Sequence, residues 1–215
     1  MLAVTLVVLF GAFAVIDQVA RVYAQNTIAT KATSAGFPVQ PSVSIKGWPF
    51  LTQVAGRDVR QVDLSAQNVR ESTLDIASLN ATALGVHINS GYNSATIDTI
   101  TGTGLITFSS LADATGASGV TISADPSGGP NSAKISSGGL SGTASVSVSG
   151  PSSISVRTKS LGGIPASALG QLPGYTVNVP HLPMGMTVTG VSVTSQGVSV
   201  QVSAHDTTLS GSGAS

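Results

Sequence analysis

The chain has no cysteine. That absence excludes disulfides, thiol nucleophiles and thiolate metal centres, and with them an acylated lipoprotein anchor. Charge is nearly as scarce, at 8% of 215 residues, where an average soluble protein carries about 25%. Nine basic residues cancel nine acidic ones. The clustered positive excess that nucleic-acid binding requires is missing, so no nucleic-acid partner is expected. Aromatic residues make up only 4%. Low charge with few aromatics goes with disorder when hydrophobicity is also low. Here 41% of residues are apolar and the mean hydropathy is +0.35, so the chain has enough apolar surface to fold. No lysine or arginine precedes Arg21, and the basic start usual for signal peptides and anchors is therefore lacking.

Catalytic signatures are missing as well. There is no G-x-S-x-G elbow, and Gly102-Thr103-Gly104 lacks the third glycine and the following helix of a dinucleotide loop. Of the three histidines His87, His181 and His205, only His205 has an acid beside it, Asp206. Neighbouring residues on a strand point to opposite faces, so that pair is a poor ligand set. No enzyme, metal site or cofactor is expected.

What the chain does have begins at its start. Met1 to Ile16, MLAVTLVVLFGAFAVI, contains no charge. Sixteen residues fall short of the ~20 that cross a bilayer as a helix, yet export by a cleaved signal or a retained anchor is the expectation for residues 1–16. Ile16, Val19, Ala20, Tyr23, Ala24, Thr27 and Ile28 then follow the i, i+3, i+4, i+7 spacing of an amphipathic helix. Asp17, Arg21, Gln25 and Lys31 fall off that stripe. Gly36 and Pro38 in SAGFPV (34–39) end the helix.

From Val39 the period changes to two. Val43 and Ile45 alternate with polar neighbours, as do Val62, Leu64 and Ala66, and then Val86 and Ile88. ASVSVSGPSSISVR folds into a hairpin at Gly150-Pro151, and GVSVTSQGVSVQVSA into another ending at Gly197. One face of each strand is apolar and the other is small and polar. SSLADATG (109–116) reads as a short helix, with a capping serine and a terminal glycine. IPASALGQLPG (164–174) reads as a second one starting near Pro165, and Ser123 to Gly139 as a loop or wide turn. The domain plan is an export segment over 1–16, one domain over 17–209 and a disordered tail over 210–215. The fold class is α+β: one long N-terminal helix and a large, mostly antiparallel sheet with too little helix to cover it. The sheet curls on itself, a second sheet packs on it, or an apolar ligand fills the gap.

Two stretches carry a resemblance. GWPFLTQVAGRDV, preceded by the helix and by GFPVQPSVSIKG, and the run from Leu172 to the final hairpin resemble, in this order, the LmeA family of phospholipid-binding actinobacterial envelope proteins. The matching G-x-P-F-L-x-Q positions are Gly47, Pro49, Phe50, Leu51 and Gln53. The central GLITFSSLADATG is also similar to that family. The resemblance implies a lipid-carrying, tubular lipid-binding-like fold. In it a strongly curved, mostly antiparallel sheet wraps around the long N-terminal helix, with one or two short helices besides. It implies that acyl chains lie in an apolar groove between helix and sheet, with phospholipid and membrane as partners.

On that reading the groove or its mouth is lined by Phe37, Trp48, Phe50, Leu51, Leu172, Leu182, Met184 and Met186. Headgroup contacts fall to Arg21, Lys46, Arg57 and Arg60. The alternative is a non-enzymatic structural or interaction module of an envelope assembly, which would use the small-residue sheet surface and carry no lipid. The sharpest open point is GWPFLTQVAG (47–56), which reads as a corner between strands. It holds the lone tryptophan, which touches either lipid or only protein.

Overall fold

The uncharged start and the helical spacing after it join into a single element, α1, over Leu2–Ser34. Three threonines near its end, Thr27, Thr30 and Thr33, donate their hydroxyls to the carbonyls of Tyr23, Asn26 and Ala29. Such i−4 bonds let a polar side chain sit within a helix without an unmet donor. The computed structural model describes residues 2–34, 39–71, 74–114, 118–162, 164–165, 175–178 and 182–210. After α1 come β1 (Ser42–Lys46), α2 (Phe50–Ala55), β2 (Asp58–Glu71), β3 (Leu74–Ile88), β4 (Ser94–Thr107) and α3 (Phe108–Ala114). Then follow β5 (Thr121–Ala124), a 3-10 turn (Pro126–Gly128), β6 (Ser132–Ser137), β7 (Leu140–Gly150), β8 (Ser153–Leu161) and β9 (Ile164–Pro165). The chain closes with β10 (Tyr175–Asn178), a second 3-10 turn (Pro183–Gly185), β11 (Thr187–Val193) and β12 (Gly197–Ser210).

The strands make two antiparallel sheets, of order β1-β2-β3-β4-β12-β11 and β10-β8-β7-β6-β5, with β9 also paired to β8. The α+β class and the mostly antiparallel sheet are as expected. The chain divides into two compact units. One comprises Met1–Ala66, Asn80–Ile100 and His205–Ser215, and the other Gln67–Leu79 and Thr101–Ala204.

In the first unit β1 pairs with β2 so that Ile45 lies opposite Val62 and Val43 opposite Leu64. Ile45, Val59, Val62, Ala83, Ile97 and Ile100 of the strands are all buried. Phe50 from α2 and Ala29 from α1 are buried as well. Helix α1 rests on β1 and α2.

In the second unit the two expected hairpins form. Val146 pairs with Val156 and Val148 with Ile154 around the Pro151 turn. Val191 pairs with Val200 and Val193 with Val198, and the Thr194 N–H closes that turn on the Gly197 carbonyl at 2.8 Å. Val146 and Ile154 of the second sheet form one core with Val188, Val191, Val198 and Val200 of the first, and Ile106, Phe108 and Leu111 pack against it. In this unit apolar side chains of the two sheets thus meet in one cluster.

Two expectations are corrected. The stretch 123–139 is not merely a loop: it holds the end of β5, a 3-10 turn and β6. Its residues are small enough to bury without large apolar side chains, as Ser132 and Ala133 do. The Asp125 carboxylate pins the bend, accepting from the Ser127 hydroxyl, the Gly128 N–H and the Thr143 hydroxyl. Pro165 does not start a helix. It pairs with Ser160 in β9, while Ile164 pairs with Leu161; the rest of that expected helix, 166–174, lies outside the described residues. Among the described residues no helix is long and apolar enough to cross a membrane. The uncharged run stops at Asp17, and Arg21 follows one turn later. The tail expectation, too, falls almost wholly outside the described residues.

Candidate functional site

The corner at 47–56 is held from three directions. Gly47 has φ +91, a left-handed conformation open mainly to glycine, and a side chain there would run into the Gln53 amide. Pro49 stands at the N-cap of α2 in an extended conformation and has no side chain able to cap it. The cap comes instead from α1. Asp17 Oδ1 accepts the Leu51 N–H at 2.7 Å, which satisfies a donor that helix geometry leaves without an intrahelical partner. One turn along α1, Arg21 Nη2 donates to the Gly47 carbonyl at 2.8 Å and lies 3.6 Å from Asp17 Oδ2. An acid thus holds the donor end of the corner and a base holds its acceptor end. Gln53 completes the frame, donating to the Lys46 carbonyl at 3.3 Å and accepting the Arg60 N–H at 3.1 Å.

Asp17 is fully buried. Burial pushes its carboxyl up, but the N–H groups of Leu51 and Phe50 and the Arg21 guanidinium outweigh that and hold it below its ordinary value. The amphipathic stripe read from the sequence is consequently rotated. Ile16, Val19 and Tyr23 face out, while Asp17 is buried and Ala20, Arg21 and Ala24 are half-buried. Apolarity alone drew the wrong face. Asp17 and Arg21 neutralise each other and bond the corner backbone, and alanines at 14, 20, 24 and 29 keep that side of α1 small.

The two aromatics of the corner part company. Phe50 is 5% exposed and belongs to the core. Trp48 is 54% exposed, and its ring meets Phe10 of α1 edge-on, centroids 5.9 Å apart. Leu51 is half-buried. Among the expected headgroup residues, Arg21 turns inward as described, Lys46 lies 3.4 Å from Asp63, and Arg57 and Arg60 are exposed.

The remaining expected contacts belong to the second unit or lie outside the described residues. Leu182 packs on that unit's valine core, Met184 is exposed in a left-handed conformation, and Met186 is half-buried. Phe37 and Leu172 lie outside the described residues. A cavity of about 300 Å³ beside α1 and β1 is lined by Gln25, Asn26, Ala29, Gln40, Ser42 and Val43, among others. None of the expected lipid contacts lines it.

Sequence reasoning missed three features. Asp17 as a cap was signalled only by its i, i+4 relation to Arg21. Phe10 as the partner of Trp48 had no signal. His87 lies 3.7 Å from Asp58 and 3.2 Å from Asp98, carboxylates that strand pairing brings together from far apart in sequence. Among the described residues no group of three or more such side chains is arranged to hold a metal ion.

A family model described as LmeA-like phospholipid-binding matches residues 15–203. No curated protein and no solved structure matches the chain.

Proposed function

The chain belongs to the LmeA-like phospholipid-binding family, and on that premise we propose that it binds phospholipid in the cell envelope by burial and without catalysis. The observation that carries this reading is the reach of the match. Residues 15–203 take in most of α1, the corner at 47–56 and both hairpins of the C-terminal half. In this reading acyl chains enter an apolar groove between the helix and the sheet. Each methylene removed from water contributes about 0.8 kcal/mol, so ten contribute about 8 kcal/mol before ordering and desolvation are subtracted. Trp48 and Leu51 are the apolar contacts at the corner, and Lys46, Arg57 and Arg60 the headgroup contacts. Phe50 and Arg21 serve the protein's own framework. The protein is exported, associates with the membrane, and moves lipid or maintains the envelope.

The test is native mass spectrometry and solvent extraction of the purified chain, followed by lipid uptake from vesicles. Co-purified phospholipid, or uptake of about one lipid per chain, is the expected result. A lipid-free protein that takes up none would sink the reading and leave a structural role in an envelope assembly.

A further inference from the structure

Helix α1 is covered on one side only. Leu9, Ile16 and Tyr23 recur every seven residues, and Val15, Val19 and Val22 flank them, so all six share one face of the helix. They are between 44% and 75% exposed. Towards the N-terminal end the cover thins all round: Phe10, Gly11 and Ala12 are exposed as well. A contiguous run of exposed large apolar side chains marks an interaction site.

The charges decide what covers it. From Leu9 to Thr30 the helix has only two residues charged at neutral pH, Asp17 and Arg21. One is fully buried, the other is mostly covered, and they face each other and the corner. The outward face therefore presents no ionised group before Lys31. The corner, on the side of α1 that Asp17 and Arg21 face, bears Trp48 and three exposed cations, Lys46, Arg57 and Arg60, tied into one frame through Gln53 and the end of α2. Asp63 lies 3.4 Å from Lys46 and Asp58 is exposed beside Arg57, so cations remain in excess. An uncharged apolar helix face, with cations in excess at the corner that the helix's N-terminal half meets, complements a hydrocarbon layer bordered by phosphates. Tyr23 and Trp48 are of the residue types that settle at that boundary, with an apolar ring and a polar edge. A paired helix from a second copy fits less well. The positions flanking the seven-residue repeat are Val15 and Val22 on one side and Phe13 and Ala20 on the other, without the charges that fix partner and register in coiled coils.

We propose that the uncovered face of α1 enters a phospholipid bilayer obliquely, N-terminal end deepest and without crossing it, with Trp48 at the interface against Phe10. The proposal rests on the phospholipid reading only for the choice of occupant. It shares Trp48 and the corner cations with the groove reading but uses the outer face of α1 and a different chemistry, because here the protein enters the lipid.

Trp48 is the only tryptophan, so its fluorescence reports this position alone. The full chain is mixed with phosphatidylcholine vesicles, with and without phosphatidylglycerol, containing lipids brominated at shallow or deep acyl positions. The expected result is sedimentation with vesicles, stronger with the anionic lipid, and quenching greatest from shallow bromines. Ile16→Glu and Val19→Glu each lower the partition coefficient roughly tenfold or more while the circular dichroism spectrum is retained, since both sites are exposed. Absence of both sedimentation and quenching overturns the proposal. So does quenching greatest from deep bromines, or a dimer in sedimentation velocity that either substitution breaks. A mature N-terminus beyond Tyr23 overturns it too. Lipid uptake measured on the same variants separates the two readings: vesicle binding without uptake refutes the groove alone, and uptake without vesicle binding refutes this surface alone.

Discussion

Replacing Phe50 with alanine tests whether the two aromatics of the corner do different work. The Phe50 ring is 5% exposed at the start of α2, so its removal leaves a cavity in the first unit. Such truncations cost about 3–5 kcal/mol. For a chain of this length each kcal/mol lowers Tm by about 2–4 °C, which gives a fall of roughly 6–20 °C. Trp48→Ala removes a ring that is half in solvent and whose described ring contact is Phe10 at 5.9 Å. An edge-to-face pair is worth about 0.5–1.5 kcal/mol, so the expected fall is only roughly 1–6 °C. Thermal unfolding followed by far-ultraviolet circular dichroism measures both. In Phe50→Ala the retained Trp48 gives a second, local signal from the corner. Lipid uptake from vesicles, measured well below each midpoint, completes the comparison: Phe50→Ala keeps it. A Phe50→Ala protein that melts like the parent but takes up no lipid would refute the core assignment and place that ring against the ligand.

Asp17 makes stability depend on pH. Its folded carboxyl titrates below the ordinary 3.8, so its contribution is complete above that value and is lost as pH falls through the folded pKa. Denaturant titrations from pH 6 to pH 2 check this, and Asp17→Asn should flatten the acid limb; an unchanged limb would count against the clasp. Gly197→Ala should destabilise the second unit by about 1–3 kcal/mol, because a Cβ there falls on the Ile106 carbonyl. A chemical-denaturation midpoint equal to that of the parent would show that the turn yields freely. Arg60→Ala and Arg57→Ala should leave Tm within about 1 °C, being exposed. Each should also weaken binding to anionic vesicles, at roughly 1 kcal/mol per cation near the surface, which vesicle sedimentation reads directly.

Much of the sheet was legible because its signal is local. Val146, Val148, Ile154 and Val156 alternate on either side of a Gly-Pro turn, and the register Val146↔Val156 and Val148↔Ile154 follows. The same holds for Val191 to Val202 around Gly197. The short helix after Thr107 was legible from its capping serine and terminal glycine, displaced by one residue at its start. Strand β6 was not, because Ser132 and Ala133 are buried by virtue of size and give no hydrophobic period. Helix α2 was hidden for another reason. Six residues following a proline have weak intrinsic helicity, and the group that caps them lies in a different helix. The corner itself was legible as a corner, with its glycine and proline. The division of labour between Trp48 and Phe50 was not, since adjacent aromatics look alike until burial separates them.

The clasp between Asp17 and Leu51 joins positions 34 residues apart, and so makes the fate of one short helix depend on where the chain is cut upstream. Removal of residues 1–16 spares the carboxylate and leaves α2 capped. Removal of one residue more takes away the partner of the Leu51 N–H, and Arg21 then faces the corner without its counter-charge. The boundary between keeping and losing the cap of the corner is therefore a single peptide bond, Ile16–Asp17. A nested series of N-terminal truncations should register it as a step and not as a slope.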